Sequence, residues 1–247
     1  MLECGKFIVF EGVDGSGVTT HASRLKDWLY KQRIHVHYSA EPTDSPIGAV
    51  IKWVLKSYWN VPKRPDLLGL LYAADRLYHV NYETFGHSGG GLHDAMKKGY
   101  VVIYSRYILS SLAYQGVYNE KVEVSEEWLK TINNFGIGLP APDLTIFLDV
   151  PPEKSLDRIR NQRDRFELFE NTNDLERVYN RYKELIKDPI HNVVQISEMK
   201  NGKEKTIDEV QTEIRRLVMD LLEGTTKTQN RRNKKNAKVS TFMRDKT

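Results

Sequence analysis

The chain has 247 residues, enough for one α/β domain of ordinary size with a core that is stable alone. Hydrophobic residues make up 40% and charged residues 28%, as in soluble globular proteins, and no apolar run approaches the roughly 18 residues of a membrane-spanning helix. The N-terminus lacks a basic segment followed by an apolar one. The single cysteine, Cys4, excludes an internal disulfide and cannot by itself make a structural zinc site. These properties predict a cytoplasmic protein.

The net charge of +4 originates at the C-terminal end of the chain. From Thr225 onward there are eight Lys and Arg residues but only one acidic residue, Asp245. Subtracting this surplus of seven positive charges leaves residues 1–224 with a net charge of about −3. Such a polar, basic composition cannot bury apolar surface, so residues 225–247 are predicted to be a disordered tail behind a domain of residues 1–224. The tail would contact nucleic acid weakly through phosphate groups, or it would simply be solvated.

Short apolar segments alternate with helical patterns along the domain, which is typical of parallel βαβ units. Strands are predicted near Phe7–Phe10, His35–Ser39, Val101–Tyr104, Leu144–Leu148 and Val193–Ile196. Apolar residues at helical spacing predict helices over Thr20–Gln32, Ile47–Ser57, Asp66–Tyr82, Glu126–Asn134, Glu153–Arg160, Asp174–Ile186 and Thr206–Leu222. The predicted fold class is α/β, a doubly wound five-stranded parallel sheet flanked by helices, with ligands at the carboxyl ends of the strands.

A glycine-rich turn joins the first strand to the first helix and reads Gly12-Val-Asp-Gly-Ser-Gly-Val-Thr19. Backbone N–H groups of such a turn, together with the positive end of the following helix, bind phosphate anions. The spacing matches the P-loop pattern G-x-x-x-x-G-K-[ST], but Val18 stands where the pattern has lysine. We therefore expect a P-loop NTPase-type fold that binds ATP. The candidate phosphate-binding residues are Gly12, Gly15, Ser16, Gly17, Thr19 and Thr20.

A second glycine-rich segment, Phe85–Leu92, interrupts the alternation of strands and helices and contains three consecutive glycines. We predict that it forms a flexible surface loop. His79, His87 and His93 lie near it in the sequence, but no acid or cysteine stands at metal-ligand spacing from them. A metal site is therefore not expected there.

Five further segments follow one another in a characteristic order. They are Glu41–Thr43, Leu70–Arg76, Ser105–Gly116, Pro142–Leu144 and Arg158–Glu167. Together with the glycine-rich turn, they resemble the thymidylate kinase family of P-loop nucleoside-monophosphate kinases, over about residues 5 to 220. The resemblance implies transfer of the γ-phosphoryl group from Mg·ATP to dTMP, giving dTDP and ADP, a step in dTTP biosynthesis. It also implies a homodimer, as is usual in the family.

The resemblance also implies a set of acceptor-site residues. The implied dTMP-binding residues are Asp14, Tyr72, Arg76, Arg106, Ser111, Tyr114 and Gln115. Tyr72 would stack on the thymine and Arg76 would hydrogen-bond to it; four positions apart, they share one face of a helix. Asp14 would lie beside the 3′-hydroxyl, and Tyr114 would favour deoxyribose over ribose. Arg106 would bridge the acceptor phosphate and the transferring phosphoryl group.

On the donor side, the resemblance implies a lid over ATP at about residues 158–167. This segment contains four arginines, and Arg158 and Arg163 are equally good candidates for the phosphate ligand. Phosphoryl transfer needs such cations because negative charge spreads over the phosphoryl oxygens in the transition state. The Thr19 hydroxyl would face Mg²⁺. The implied catalytic residues are Asp14, Arg106, Arg158 and Arg163.

Three polar positions of the family pattern are lost. Val18 replaces the loop lysine, Ser105 replaces an aspartate near Mg²⁺, and Ala40 replaces an arginine that binds the acceptor phosphate. Two hypotheses follow. In the first, Arg106 and the lid arginines take over the missing charges, and the chain is a working kinase. In the second, it is a catalytically impaired nucleotide-binding paralogue with a regulatory or partner-binding role.

Several assignments also have a purely structural alternative. Tyr72 lies beside two leucines and would be a core residue at that spacing. Arg76 follows Asp75 and would form a surface ion pair of little value. Arg106 would cap the end of a strand.

Overall fold

The computed structural model describes residues 4–56, 64–82, 91–117, 124–134, 139–162 and 172–224. Five parallel strands form its main sheet in the order β2-β3-β1-β4-β5. These strands are β1 (Lys6–Glu11), β2 (Val36–Ala40), β3 (Val101–Ser105), β4 (Leu144–Asp149) and β5 (Val193–Ser197). All five strand predictions are confirmed, as is the doubly wound α/β class. A short antiparallel hairpin, β6 (Met199–Lys200) and β7 (Lys203–Glu204), was not predicted.

Helices connect the strands and cover both faces of the sheet. They are α1 (Val18–Lys31), α2 (Pro46–Lys56), α3 (Pro65–Tyr82), α4 (Leu92–Lys97), α5 (Ile108–Tyr114), α6 (Glu126–Asn134), α7 (Pro152–Gln162), α8 (Thr172–Leu185) and α9 (Ile207–Leu222). The seven predicted helices are present, with ends that match or differ by at most two residues, and Ser57 of the second lies outside the described residues. The prediction missed α4 and α5, which are too short to show an apolar period. Within the described ranges, no helix is long and apolar enough to cross a membrane.

The core lies on the two faces of the sheet. On one face, α1 and α9 pack against the strands through Leu25 and Ile214, among other apolar side chains. On the opposite face, α5 and α8 pack through Leu112 and Val178. The central strand β1 is covered on both faces, which explains why Phe7–Phe10 reads as a continuous apolar run.

The strand register brings the candidate site together. Phe10 of β1 pairs with Ser105 of β3, and Ala40 of β2 pairs with the same serine. All three strands therefore end at the same edge of the sheet. The glycine-rich turn leaves β1 there, next to Arg106, which follows β3 directly. This edge is where a doubly wound sheet binds its ligands.

Candidate active site

The glycine-rich turn has a backbone that requires glycine at two positions. Gly15 and Gly17 have φ angles of 79° and 84°, in the left-handed region that favours glycine. A Cβ atom added to Gly15 would also lie 2.4 Å from the carbonyl oxygen of Ser155. Gly17 directly precedes α1, so the backbone N–H groups of the turn lie next to the positive end of that helix.

A cleft of about 650 Å³ opens beside this turn, and we call it the donor cleft. The turn and α1 contribute Gly15, Gly17, Thr19 and Thr20 to its lining. The other two predicted phosphate-binding residues, Gly12 and Ser16, are buried, and the structure does not place them in the lining.

Val18 shows how the turn tolerates the loss of lysine. Its side chain is 5% exposed and packs with the apolar cluster between α1 and the sheet, beside Ile8 and Ala22. The valine thus extends the core to the first residue of the helix. In the described part of the chain, the cations that line the donor cleft are Arg106, Arg158 and Lys205.

Arg158, on α7, is held by two carboxylates at the rim of this cleft. Its Nη1 donates to Glu198 Oε2 at 2.9 Å and its Nη2 to Glu204 Oε2 at 3.3 Å. Arg163, the alternative lid residue, lies outside the described residues, as do residues 164–167 of the predicted lid. The choice between the two arginines therefore stays open, but Arg158 does line the cleft.

A buried histidine stands behind Arg158. The Nε2 atom of His21 lies 3.5 Å from Glu198 Oε1, and the Gln211 amide donates to its Nδ1 at 3.0 Å. Burial, together with the nearby charges of Arg158 and Arg24, lowers the pKa of His21 to about 4. Burial also raises the pKa of Glu198. His21 is therefore neutral at physiological pH.

Arg106 joins the glycine-rich turn to a second pocket. Its Nη1 donates to the Gly12 carbonyl oxygen at 2.8 Å and its Nη2 to Asp14 Oδ1 at 2.6 Å. Its guanidinium also lies 5.1 Å from the centre of the Tyr114 ring. The φ angle of Arg106 is 71°, an uncommon and strained conformation for a residue other than glycine. Arg106 therefore does more than cap the end of a strand, which was the structural alternative for this residue.

The second pocket, which we call the acceptor pocket, is narrower, about 50 Å³. It is lined by Asp14, Glu41, Leu55, Tyr72, Arg76, Arg106, Ser110, Ser111, Tyr114 and Gln115. All seven predicted dTMP-binding residues are in this set. Tyr72 lies at the wall of the pocket and also packs on the core, and its stacking on thymine stays a prediction.

Arg76 is a buried residue rather than a surface one. It is 1% exposed, and its Nε donates to Glu41 Oε1 at 3.2 Å while its Nη2 donates to Glu41 Oε2 at 2.6 Å. Its Nη2 also donates to Ser111 Oγ at 3.2 Å, and its Nη1 bonds to the Asn133 side chain. The bidentate pair with Glu41 fixes the plane of the guanidinium. Glu41 directly follows β2, a position that could have identified it from the sequence.

Asp75 has a partner other than Arg76. Its carboxylate accepts from the Thr43 backbone N–H at 2.8 Å, from the Thr43 hydroxyl at 2.6 Å and from the Ser45 hydroxyl at 2.8 Å. It therefore anchors the loop that carries Glu41 to α3. The prediction of a surface ion pair between Asp75 and Arg76 is wrong, because both side chains are buried and bond to different partners.

Tyr114 links the acceptor pocket to the glycine-rich turn. Its hydroxyl accepts from the Asp14 backbone N–H at 2.9 Å. Asp14, Arg106 and Tyr114 therefore hold one another at the point where the donor cleft and the acceptor pocket meet. Both cavities include Asp14 and Arg106 in their lining.

The two other departures from the family pattern lie side by side. Ser105 and Ala40 are paired at the ends of β3 and β2. The Ser105 hydroxyl bonds to the phenol of Tyr38. Among the described residues, no group of three or more His, Cys, Asp or Glu side chains could hold a metal ion. A bound cation would need oxygens of its substrate to complete its shell.

Comparisons with known proteins agree with this geometry. The family model described as thymidylate kinase matches residues 10–214. A probable thymidylate kinase 1 of Saccharolobus solfataricus is 38% identical over 197 residues, covering 79% of this chain and 91% of the relative. A putative thymidylate kinase of Aeropyrum pernix is 34% identical over 220 residues, covering 88% and 97%. The thymidylate kinase of Prochlorococcus marinus is 36% identical over 222 residues, covering 87% and 98%. This chain belongs to the thymidylate kinase family.

Proposed function

We propose that this chain is a working thymidylate kinase, which transfers the γ-phosphoryl group of ATP to dTMP. One observation carries the proposal: Arg106 contacts the glycine-rich turn and Asp14 while lying against Tyr114. A single cation thus lies between the donor cleft and the acceptor pocket, where the transferring group would pass. The alternative of an impaired paralogue is not favoured, because the side chains of the acceptor pocket are retained and mutually bonded.

The acceptor pocket supports recognition of a thymine base. The Tyr72 ring would stack on the base, and Arg76, fixed by Glu41, would donate to a base carbonyl. The Oε1 atom of Gln115 is buried without a hydrogen-bond partner in the described part of the chain, and the thymine N3–H would supply one. Tyr114 would exclude the 2′-hydroxyl of a ribose.

Transfer would proceed by positioning and charge stabilisation. An oxygen of the dTMP phosphate attacks the γ-phosphorus of ATP, and the bond to the β–γ bridging oxygen breaks as ADP leaves. Arg106 would neutralise charge on the oxygens between the two substrates, and Arg158 would do so from the lid side. Backbone N–H groups of the turn would hold the ATP phosphates without the missing lysine.

The oxygen donors of the donor cleft fit Mg²⁺ bound with ATP. Magnesium in phosphoryl-transfer sites is held by one or two protein oxygens, with substrate phosphates and waters completing the shell. The Thr19 hydroxyl and the Asp14 carboxylate are among the oxygens that the turn and α1 offer there. Bound Mg²⁺ would supply neutralisation of the β- and γ-phosphate charge.

A homodimer is supported by an exposed apolar face on α2 and α3. Its side chains are Val50, Trp53, Leu67, Leu70, Tyr78 and Tyr82, with Trp53 64% and Tyr82 66% exposed. We interpret these exposed apolar side chains, on two helices that contact each other, as an interaction surface. Sedimentation velocity should show a dimer, and Trp53→Glu should shift it towards monomer. A monomeric wild type would refute this part of the proposal.

The predicted tail, residues 225–247, lies outside the described residues. We propose that it contacts nucleic acid weakly and takes no part in the kinase reaction. Deletion after Gly224 should reduce retention on DNA at low salt and leave kinase kinetics unchanged. Unchanged retention would reject the contact.

The kinase assignment is tested by coupled ADP release with ATP and Mg²⁺. dTMP should support robust turnover, and kcat/KM for dUMP, which lacks only the thymine methyl group, should fall about ten-fold or more. The ribose analogue of dTMP should also be a poor substrate. Absent turnover, with dTMP or ATP binding still measurable by calorimetry, would instead identify a nucleotide-binding paralogue.

A further inference from the structure

Glu11, the last residue of β1, is fully buried and lies behind Arg106. Its Oε1 accepts from the backbone N–H of Tyr107 at 2.9 Å and of Ser110 at 3.2 Å. Its Oε2 accepts from the Ser110 hydroxyl at 2.5 Å and from the Tyr182 hydroxyl at 2.9 Å. One carboxylate therefore receives four hydrogen bonds from two helices.

Two of these bonds cap α5 from a neighbouring strand. Tyr107 directly precedes the first helical residue, and its own side chain makes no capping bond. A helix start leaves its first N–H groups without intrahelical partners, and Glu11 accepts from that of Tyr107. The Ser110 N–H is shared between the Tyr107 carbonyl oxygen, at 3.1 Å, and Glu11. Glu11 thereby places a carboxylate at the positive end of the helix.

The same bonds fix the residues on either side of the strained Arg106. Its backbone N–H donates to the Phe10 carbonyl oxygen at 2.9 Å, and the next N–H, of Tyr107, donates to Glu11. Ser110 Oγ accepts from Arg106 Nη1 at 3.2 Å and donates to Glu11. The left-handed turn is thus held to β1 from both ends, and the guanidinium is held through Ser110.

Glu11 also reaches α8, the helix that follows the lid segment. The Tyr182 hydroxyl bonds to Glu11 and lies 2.8 Å from Ser110 Oγ. Burial raises the pKa of Glu11, whereas the bond from Ser110 and the charge of Arg106 lower it. A serine or threonine at the N-cap position would accept from one N–H of the first turn at a smaller desolvation cost, but it would not reach the N–H of residue 107 itself. The carboxylate adds the bonds to Ser110 and Tyr182.

We propose that Glu11 is a positioning residue for phosphoryl transfer, which holds Arg106 in the geometry that spans the donor cleft and the acceptor pocket. This inference rests on the proposed kinase function. It differs from a purely structural role because it predicts a defect specific to the acceptor phosphate and to kcat.

The test compares Glu11→Gln with Asp143→Asn. Asp143 is a matched control, since it is also buried and accepts from a β1 backbone N–H, that of Phe7 at 2.9 Å, at the opposite end of the strand. Glu11→Gln should lower kcat about 10²-fold, the effect of a small misplacement of a catalytic group, with the KM for ATP unchanged. Asp143→Asn should lose stability without this loss of kcat.

Calorimetry gives a second readout that does not depend on turnover. Because Arg106 would bind the acceptor phosphate, Glu11→Gln should reduce the preference for dTMP over thymidine about ten-fold, the value of one charged hydrogen bond. Asp143→Asn should keep the wild-type preference. Tyr182→Phe, which removes one of the four donors, should show a smaller change in the same direction and serves if Glu11→Gln does not fold.

The outcomes separate this inference from the proposed function. If the wild type turns over but Glu11→Gln matches Asp143→Asn in kcat and in nucleotide preference, Glu11 has only a structural role. If the wild type does not turn over, the kinase function fails, and the ratio of dTMP to thymidine affinity still decides whether Glu11 positions Arg106. An unchanged ratio in Glu11→Gln and Tyr182→Phe overturns the inference.

Discussion

The donor cleft and the acceptor pocket lie side by side but are lined by different kinds of groups. The donor cleft is wide and is lined in part by the glycine-rich turn, whose backbone N–H groups would bind phosphate, and in part by half-exposed ion pairs such as Arg158 with Glu204. The acceptor pocket is narrow and lined by side chains that are paired in its walls, such as Arg76 with Glu41. A site formed by backbone groups keeps its shape when one side chain is replaced, as where Val18 stands in place of lysine. A site formed by paired, buried side chains loses its shape when one partner is replaced.

Arg106 belongs to both cavities, and its removal should have the largest effect. We expect Arg106→Ala to lower kcat by about 10³- to 10⁵-fold, as for other arginines that stabilise phosphoryl transfer. Arg24→Ala is the control, because Arg24 is an exposed arginine of α1 paired with Asp208. Steady-state kinetics with dTMP and ATP measure both. Retained turnover in Arg106→Ala would show that phosphoryl transfer does not need this shared cation.

Removing one carboxylate from each cavity should reduce the free energy of unfolding by different amounts. Glu41→Gln leaves Arg76 buried without its partner, and we expect the free energy of unfolding to fall by about 3–5 kcal/mol. Glu204→Gln removes a half-exposed partner of Arg158 at the donor rim and should cost about 1 kcal/mol or less. Urea denaturation measures both changes. Equal losses would contradict the contrast between the cavities.

The pH dependence of stability should reveal the buried histidine behind the donor cleft. The pKa of His21 falls from 6.5 to about 4 on folding, so the unfolded chain binds more protons between these values. Stability conferred by this residue is complete above pH 6.5 and is lost as the pH falls towards 4, by up to about 3 kcal/mol. His21→Gln should flatten this part of the profile. Parallel profiles for the two proteins would mean that His21 titrates normally.

Restoring the lysine should produce the smallest change, confined to the donor side. Val18→Lys adds one cation near the ATP phosphates, and because Arg106 and Arg158 already line the cleft, we expect kcat/KM for ATP to rise about ten-fold. The KM for dTMP should not change. Val18→Met controls for side-chain length without charge. A rise with both variants would assign the effect to packing.

Local rules of sequence account for much of the fold and of the site. Strand β1, the turn at Gly15 and Gly17, and the helix that begins at Val18 follow from apolar runs and glycine spacing. Tyr72 and Arg76, which the family resemblance singled out, both lie at the wall of the acceptor pocket. Helix α5 was missed because its seven residues are too few to show an apolar period, and the start of the helix receives a hydrogen bond from another strand.

The hydrogen bonds between distant residues could not be predicted in the same way. Glu11 and Tyr182 are separated by 171 positions, and His21 and Gln211 by 190. No local pattern pairs such residues, because only the packed sheet brings them together. The same holds for Asp75, whose partners lie on the loop after β2 rather than beside it in the sequence. The roles of individual site residues, and of Arg163, stay predictions.

The left-handed backbone of Arg106 limits how this position can change during evolution or engineering. Glycine is the residue that would relax the φ angle of 71°, yet it has no guanidinium. A substitution that gains stability here therefore loses the cation in the same step. Screens that select only for heat resistance would favour replacement of Arg106, with a loss of activity. Screens that select for turnover would retain Arg106 and its strained backbone.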